Sequence, residues 1–311
     1  MIRKYTNYFC ERLLSIFGGM LLIFLLLGTE QGYAEEWQYK VTLDLITTEK
    51  IELSQTTLDS YEDDPETVEK IVPFPNIKAE LKDSESESMW YWGNVGPKMN
   101  AGRKQDTGIG RFHLDLKLGL PLQQDQWQNP FLLGESRKKT GLITSEQKLV
   151  YSSGKHFGVV FGIQQTLLHY QKDTTPELNS DLGRNGARLI REAGLNLAIL
   201  RFAFLDIETN VKGEADSNQG TGVRAMLAIP LNGKKLLLIF RGQREELEYN
   251  KIHPIFQTIR EDQIELLIAR LQADFNSFLL IVTRIHHKVE SNIPFFNQEM
   301  NMLSLGIQLK F

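Results

Sequence analysis

Along most of the chain, apolar and polar side chains alternate residue by residue, the pattern of strands with one apolar and one wettable face. Trp37, Tyr39, Val41, Leu43 and Leu45 stand opposite Gln38, Lys40, Thr42 and Asp44, and Ile77, Ala79 and Leu81 opposite Lys78, Glu80 and Lys82. The same period runs through Phe112, Leu114, Leu116, Leu118 and Leu120, through Phe157, Val159, Phe161 and Ile163, and through Leu195, Leu197 and Ile199. It returns in Val223, Ala225, Leu227 and Ile229, and in Ile264, Leu266 and Ile268 against Gln263, Glu265, Leu267 and Ala269. The closing residues repeat it, with Leu303, Leu305, Ile307, Leu309 and Phe311 on one face and Ser304, Gly306, Gln308 and Lys310 on the other.

Five apolar positions at period 2 occupy about ten residues, which tilted by about 45° cross a hydrocarbon layer of roughly 25 Å. Strands of a sandwich or a soluble barrel alternate in the same way, so the spacing of the breaks decides. Counting back from Phe311, the breaks at 291–298, 250–257, 213–219 and 171–185 are long, and those between them at 274–276, 232–233, 200–201 and 152–155 are short. Long loops at one end and short turns at the other are the habit of transmembrane β-barrels; a Greek-key sandwich does not keep that rhythm. Asn232-Gly233 is the plainest turn, because both residues accept the positive φ of a type I′ hairpin. Upstream, candidate strands lie at 76–82, 89–95, 129–134 and 141–151. The expected fold is all-β: a closed antiparallel transmembrane β-barrel of 14 strands, or 12 if the two weakest are dropped, in up-and-down topology.

The start of the chain adds a location. Arg3, Lys4 and Arg12 precede the apolar run from Ile16 to Leu27, and Gly32-Tyr33-Ala34 offers small residues where a signal peptidase reads. A run of about twelve apolar residues is short of the roughly 20 that a spanning helix needs, and it suits a signal peptide. The expected organisation is a signal peptide over 1–34 and a barrel over 35–311. Cys10 is the only cysteine and lies ahead of the apolar run, so it is no lipid-anchor residue, and the mature chain must hold its fold without disulfides. A closed sheet whose backbone groups all pair does so. No later stretch of 18 apolar residues follows, so a membrane crossing has to be made by strands.

The formal charge is −4, and removing Arg3, Lys4, Arg12, Glu11 and Glu30 with the leader leaves the remainder one unit more acidic. That balance argues against a nucleic-acid partner. The expected location is the cell outer membrane, with membrane lipid and lipopolysaccharide as partners. The barrel-assembly machinery acts during insertion, for which Leu303, Leu305, Ile307, Leu309 and Phe311 form the closing-strand signal. Nothing in the pattern specifies an oligomer.

Candidate chemistry is sparse. His113 and Asp115 sit two apart on one strand and share a face, the spacing at which an imidazole and a carboxylate could activate water. A lumen-filling ion pair with Arg111 and Lys117 accounts for them more simply. His286 and His287 are adjacent and point to opposite faces, so they do not chelate one metal together. Gly108-Ile109-Gly110 and Gly220-Thr221-Gly222 lack the Lys-Ser/Thr and the helix of a phosphate loop. No catalytic residue, metal site or cofactor is expected, and the chain is read as a non-enzyme. Between Asp59 and Glu69 lie Glu62, Asp63, Asp64 and Glu66 with no basic residue, an acidic loop that is either solvated or a gatherer of divalent cations. The inward set is more informative: Arg111, His113, Lys117, Arg224, Arg241 and Arg284 are expected to share the lumen with Asp115, Asp206, Glu245, Glu261 and Glu265. In a narrow barrel such charges pair and fill it; in a wider one they hydrate a pore.

The order of several short pieces is similar to a family of gamma-proteobacterial outer-membrane proteins, domain-of-unknown-function family 2860. The pieces are Pro73-Phe74-Pro75-Asn76-Ile77, Asn129-Pro130-Phe131-Leu132-Leu133-Gly134, Leu178-Asn179 with Arg184-Asn185-Gly186, His253-Pro254-Ile255-Phe256, and Ser291-Asn292-Ile293-Pro294-Phe295-Phe296. The resemblance implies the outer membrane and a barrel, and it brings no activity with it. The functional expectation is a narrow passive channel for small hydrophilic solutes. The alternatives are a closed barrel whose outer loops bind lipopolysaccharide or a partner, and, third, a lipid-modifying enzyme, against which the absence of a His-x-Ser pair weighs.

Overall fold

The computed structural model describes residues 36–83, 88–95, 98–121, 126–154, 157–232, 235–275 and 277–310. The expected leader and Phe311 lie outside the described residues. Strands β1 (Glu36–Glu52), β2 (Glu66–Asp83), β3 (Ser88–Val95), β4 (Lys98–Thr107) and β5 (Gly110–Gly119) lead to a long connection. That connection carries a two-residue ladder of β6 (Gln126–Trp127) and β7 (Lys139–Thr140). Strands β8 (Leu142–Ser152), β9 (Phe157–Tyr170), β10 (Gly186–Leu197), β11 (Leu200–Val211) and β12 (Asn218–Leu231) follow. Strands β13 (Leu236–Ile252), β14 (Ile259–Asp274), β15 (Phe278–Ser291) and β16 (Gln298–Lys310) complete the chain. All but β6 and β7 form one closed antiparallel barrel of 14 strands, each paired with its neighbour in sequence.

Closure is made where the alternation predicts it. β16 pairs with β1 in the register Val41↔Leu309, Leu43↔Ile307 and Leu45↔Leu305, so apolar residues of the first and last strands share a face. A slip by one residue would turn every one of those side chains to the other face, which is why the pattern fixes the register. The β1–β16 seam closes the ring, while the upper part of β2, beyond its pairing with β3 at Lys78–Asp83, is bonded to β1 alone.

The apolar positions form an outward band around the half of the barrel nearest the short turns. Leu43, Leu45, Phe157, Phe161, Leu195, Phe204, Leu303, Leu305, Ile307 and Leu309 all face out and are exposed. Strands of 17 and 18 residues, as in β1 and β2, exceed the 9 to 11 or so that a tilted crossing needs, and the excess projects beyond the band. There the outer face turns polar. Arg191 pairs with Asp206 at 2.6 Å and Glu208 at 3.2 Å, and Arg244 reaches Gln263 at 2.8 Å and Glu246 at 3.4 Å. Such exposed pairs contribute about 0–1 kcal/mol each, so they mark a wet surface rather than a stabilising one.

The ends match the rhythm of the breaks. The long connections and the link from β3 to β4 lie at one end, and the other six links lie at the opposite one with the start of β1 and the end of β16. Asn232 has φ 47°, as the first position of a type I′ turn requires, while Gly233 lies outside the described residues. The turn expected at 200–201 falls two residues earlier, with Ala198 at φ 56° and Leu197 paired to Leu200.

Two expectations need correction. Segment 129–134 is no stave; its place in the count is taken by β4, whose outward residues Met99, Ala101, Arg103 and Gln105 form no apolar run. On β14 the expected faces are exchanged. Asp262, Ile264, Leu266 and Ile268 point inward, because Ile264 packs on Ile190, Leu205, Ile207 and Leu247 in an apolar cluster on the inner wall.

Candidate functional site

The inner wall is lined by charged side chains brought together by cross-strand pairing. On β2, Glu80 lies between Lys40 at 2.5 Å and Lys78 at 2.8 Å. On β3, Tyr91 donates its hydroxyl proton to Asp115 Oδ1 at 2.8 Å and lies 2.8 Å from His113 Nε2. Its ring fits only because Gly102 is opposite: a Cβ there would stand 2.3 Å from the hydroxyl. Lys117 bridges Asp115 at 3.0 Å and Glu146 at 2.6 Å, and Arg111 pairs with Asp106. Further round, Glu192 accepts from Arg201 at 2.6 Å and Arg224 at 2.5 Å. Arg188 on β10 reaches Glu245 on β13 at 2.5 Å, a link that skips two strands and therefore leaves the wall for the lumen.

Among the residues singled out from sequence, Arg111, His113, Asp115, Lys117, Arg224 and Arg241 face inward, and Glu245 with them. Glu261, Glu265 and Arg284 do not. Glu261 and Glu265 alternate with inward Asp262 and Ile264, and Arg284 alternates with inward Ile281, Thr283 and Ile285, so all three stand on the outer wall. Asp206 is likewise outside, paired with Arg191. Their charge is tolerated there because they lie at or beyond the margin of the apolar band. His287 faces in and His286 out.

The long-loop end is covered by a packed cap that sequence reasoning did not anticipate. Leu58, Phe131, Arg137, Thr175, Leu182, Ala215, His253 and Ile293 come from loops at 53–65, 128–138, 171–185, 212–217, 253–258 and 292–297, and all are buried. Phe131 stacks on Phe295 at 5.4 Å and meets His253, Phe256 and Phe296 edge-on. Backbone bonds tie the loops to one another: Gly134 N to Leu58 O at 2.8 Å, Arg137 N to Thr56 O at 2.7 Å, and Ala215 N to Asp181 O at 3.0 Å. Arg184 holds Asp173 at 3.0 Å and donates to the carbonyls of Trp127 and Gln128. Segment 129–134 therefore crosses the mouth, with Asn129 Oδ1 accepting from Phe131 N at 2.9 Å to set its turn.

Two titratable groups in the cap each present one buried atom with no hydrogen-bond partner among the described residues. His253 Nδ1 accepts from Ile255 N, which assigns the proton of the neutral ring to Nε2, and that nitrogen is buried with no hydrogen bond. Burial among the rings, reinforced by the nearby Arg260 guanidinium, pushes this imidazole down to about 4. Asp216 presents an Oδ2 shut off from solvent with no donor. Desolvation pushes its carboxyl up to about 6, against the pull of Arg260 and Arg184. Asp216 lines a cavity of about 260 Å³ between the cap and the inward strand tops at Lys50, Tyr170 and Arg260.

Comparisons with known proteins place the chain by family. No curated protein matches it in sequence. Among solved structures, it is similar to OccAB4 of Acinetobacter baumannii, at 7% identity and TM-score 0.45 over 91% of this chain and 100% of that one. It is also similar to OpdK of Pseudomonas aeruginosa crystallised with vanillate, at 8% identity and TM-score 0.41 over 90% and 100%. The translocator domain of the autotransporter NalP from Neisseria meningitidis aligns at 12% identity and TM-score 0.36 over 96% of each chain. The profile of a family described as "Protein of unknown function (DUF2860)" matches residues 44–310, and the chain belongs to that family.

Proposed function

We propose that the protein is an integral outer-membrane barrel that forms a narrow passive channel for small hydrophilic solutes, with its outer mouth restricted by the loop cap. The observation that carries this reading is the contrast between the two faces of one wall: an apolar band outside, interrupted at β4, and ion-paired, hydrogen-bonded side chains inside. A soluble protein has no use for such a band, and lipid has no partners for such an interior. Size supports an open path. Fourteen tilted strands enclose a ring roughly 28 Å across between backbones, wider than the 8-strand case that side chains fill. The partners on this reading are outer-membrane lipid and lipopolysaccharide, with the assembly machinery at insertion. The protein's task is passage rather than catalysis.

The packed cap favours a second reading, a closed barrel whose outer loops serve as a binding surface. Swelling of liposomes holding the refolded protein separates the two. The channel reading expects swelling in small sugars and amino acids that fades as solute size rises, and no swelling in any solute would leave the closed barrel.

The membrane claim is tested on the band itself. Leu305 lies outward, opposite Leu45 and Val282. Leu305→Arg is expected to cost about 2–4 kcal/mol in urea titrations of refolding into vesicles. A change within about 0.5 kcal/mol, ordinary for a solvent-facing site, would place that face in water.

A further inference from the structure

One sector of the lower lumen holds more positive charge than it can neutralise. Lys148 of β8, Arg201 of β11, Arg224 of β12 and Arg241 of β13 face inward and interact electrostatically with one another and with Glu192, while the other carboxylates near them, Glu245 and Glu146, are paired to Arg188 and Lys117. Glu192 is already committed, accepting from Arg201 on one oxygen and from Arg224 on the other. It lies flat against the wall because its cross-strand neighbour is Gly162; a Cβ there would stand 2.5 Å from Glu192 Cγ. Arg241 reaches only the neutral Gln243 amide, at 3.1 Å, and Lys148 has neither an ion pair nor a hydrogen bond among the described residues. The Nε atoms of Arg201 and Arg241 are buried and have no acceptor among the described residues. Buried donors without acceptors are rare, and a group of them on like-charged side chains marks a place where an acceptor of opposite charge belongs. Arg201 also lines a cavity of about 410 Å³ with Lys104, Arg111 and His113, beside the short turns at Gly154 and Ala198, which places one member of the group at an approach from that end.

We propose that Lys148, Arg201, Arg224 and Arg241 form a binding station for small oxyanions that carry two negative charges, a class that includes inorganic phosphate and short dicarboxylates. Guanidinium groups take two oxygens of such an anion side by side, and the ammonium of Lys148 supplies the remaining charge. The station deepens the channel reading and depends on it for any role in passage, whereas binding itself does not.

The test is calorimetry of the refolded protein in detergent with inorganic phosphate, succinate, chloride and glucose, together with reversal potentials across a salt gradient. Phosphate or succinate is expected to bind at micromolar to millimolar concentration and glucose not at all, and the two dianions rank the sources. The double variant Lys148→Gln, Arg241→Gln removes the two cations that no carboxylate holds, so the barrel keeps its pairs. It should weaken dianion binding at least tenfold and lower anion preference. Glu192→Gln removes the carboxylate that holds Arg201 and Arg224 and should strengthen dianion binding several-fold, an effect opposite to that of a merely damaged wall. Absence of binding in the wild type, or equal binding in the double variant, overturns the station even if the protein conducts. Binding without conductance keeps the station and removes the channel.

Discussion

Arg137→Ala is expected to unlatch the mouth of the barrel and raise its conductance. This guanidinium is 3% exposed and lies 4.2 Å over the Trp127 ring. It donates to the carbonyls of Gln55 at 2.9 Å, Pro130 at 3.2 Å and Leu53 at 3.2 Å, and so joins the first long loop to the segment that crosses the mouth. Hydrogen bonds from a charged donor contribute about 1.5–3 kcal/mol each, and truncation leaves the carbonyls unpaired as well. A loss of about 3 kcal/mol in cap stability multiplies the uncapped population roughly a hundredfold. Single-channel recordings should then show a larger conductance level visited far more often, with the barrel itself still heat-modifiable on gels. Arg137→Lys keeps the charge and loses the fork, and should fall between. Recordings identical to wild type would show that the cap does not limit passage.

The second large effect is a pH response that the wild type conceals. The folded cap holds His253 well below its ordinary 6.5, at about 4, so its stabilisation is complete above pH 6.5 and is lost as pH falls toward 4. Asp216 works in the opposite direction: its folded value of about 6 lies above its ordinary 3.8, so cap stability rises as pH falls through that window. Each contributes on the order of 3 kcal/mol across the shared range, and the two slopes nearly cancel. The groups facing them are few. Arg260 faces both, and Arg184, Asp173 and Tyr249 face Asp216. Asp216→Asn leaves the histidine slope alone, so the variant's conductance should climb steeply between pH 6.5 and 4 while the wild type stays nearly level. A flat profile in the variant would mean that His253 is not sealed in the cap at neutral pH.

The wall was legible in the sequence because a strand with one lipid face and one wet face must alternate, and Leu303 to Leu309 does so without interruption. Where the lipid face is not apolar the signal fades, and so β4, with Arg103 and Gln105 outward, went unseen. Period alone does not say which face is inside. On β14 the apolar residues Ile264, Leu266 and Ile268 serve the inner wall, and the polar residues outside them stand at the level of Arg244 and Arg191. Arg284 misled for the same reason, since a charge on a barrel strand points inward only where lipid lies outside. The cap had a signal of another kind. Phe131, Phe256, Phe295 and Phe296 are large apolar residues in loops, each beside a proline or within two residues of one. Four of the five pieces that carried the family resemblance, all but the one at Pro73, are segments of the cap. Loops that long and that apolar must bury their rings against something, and in a barrel the nearest partners are one another.

Planar-bilayer recording on purified, refolded protein tests the central claim most directly. The wild type is expected to give discrete conductance steps that are small for a ring of 14 strands, and Arg137→Ala larger ones. Heat-modifiable protein that gives no step in either form, at any voltage or salt concentration, would contradict the channel and leave a sealed barrel.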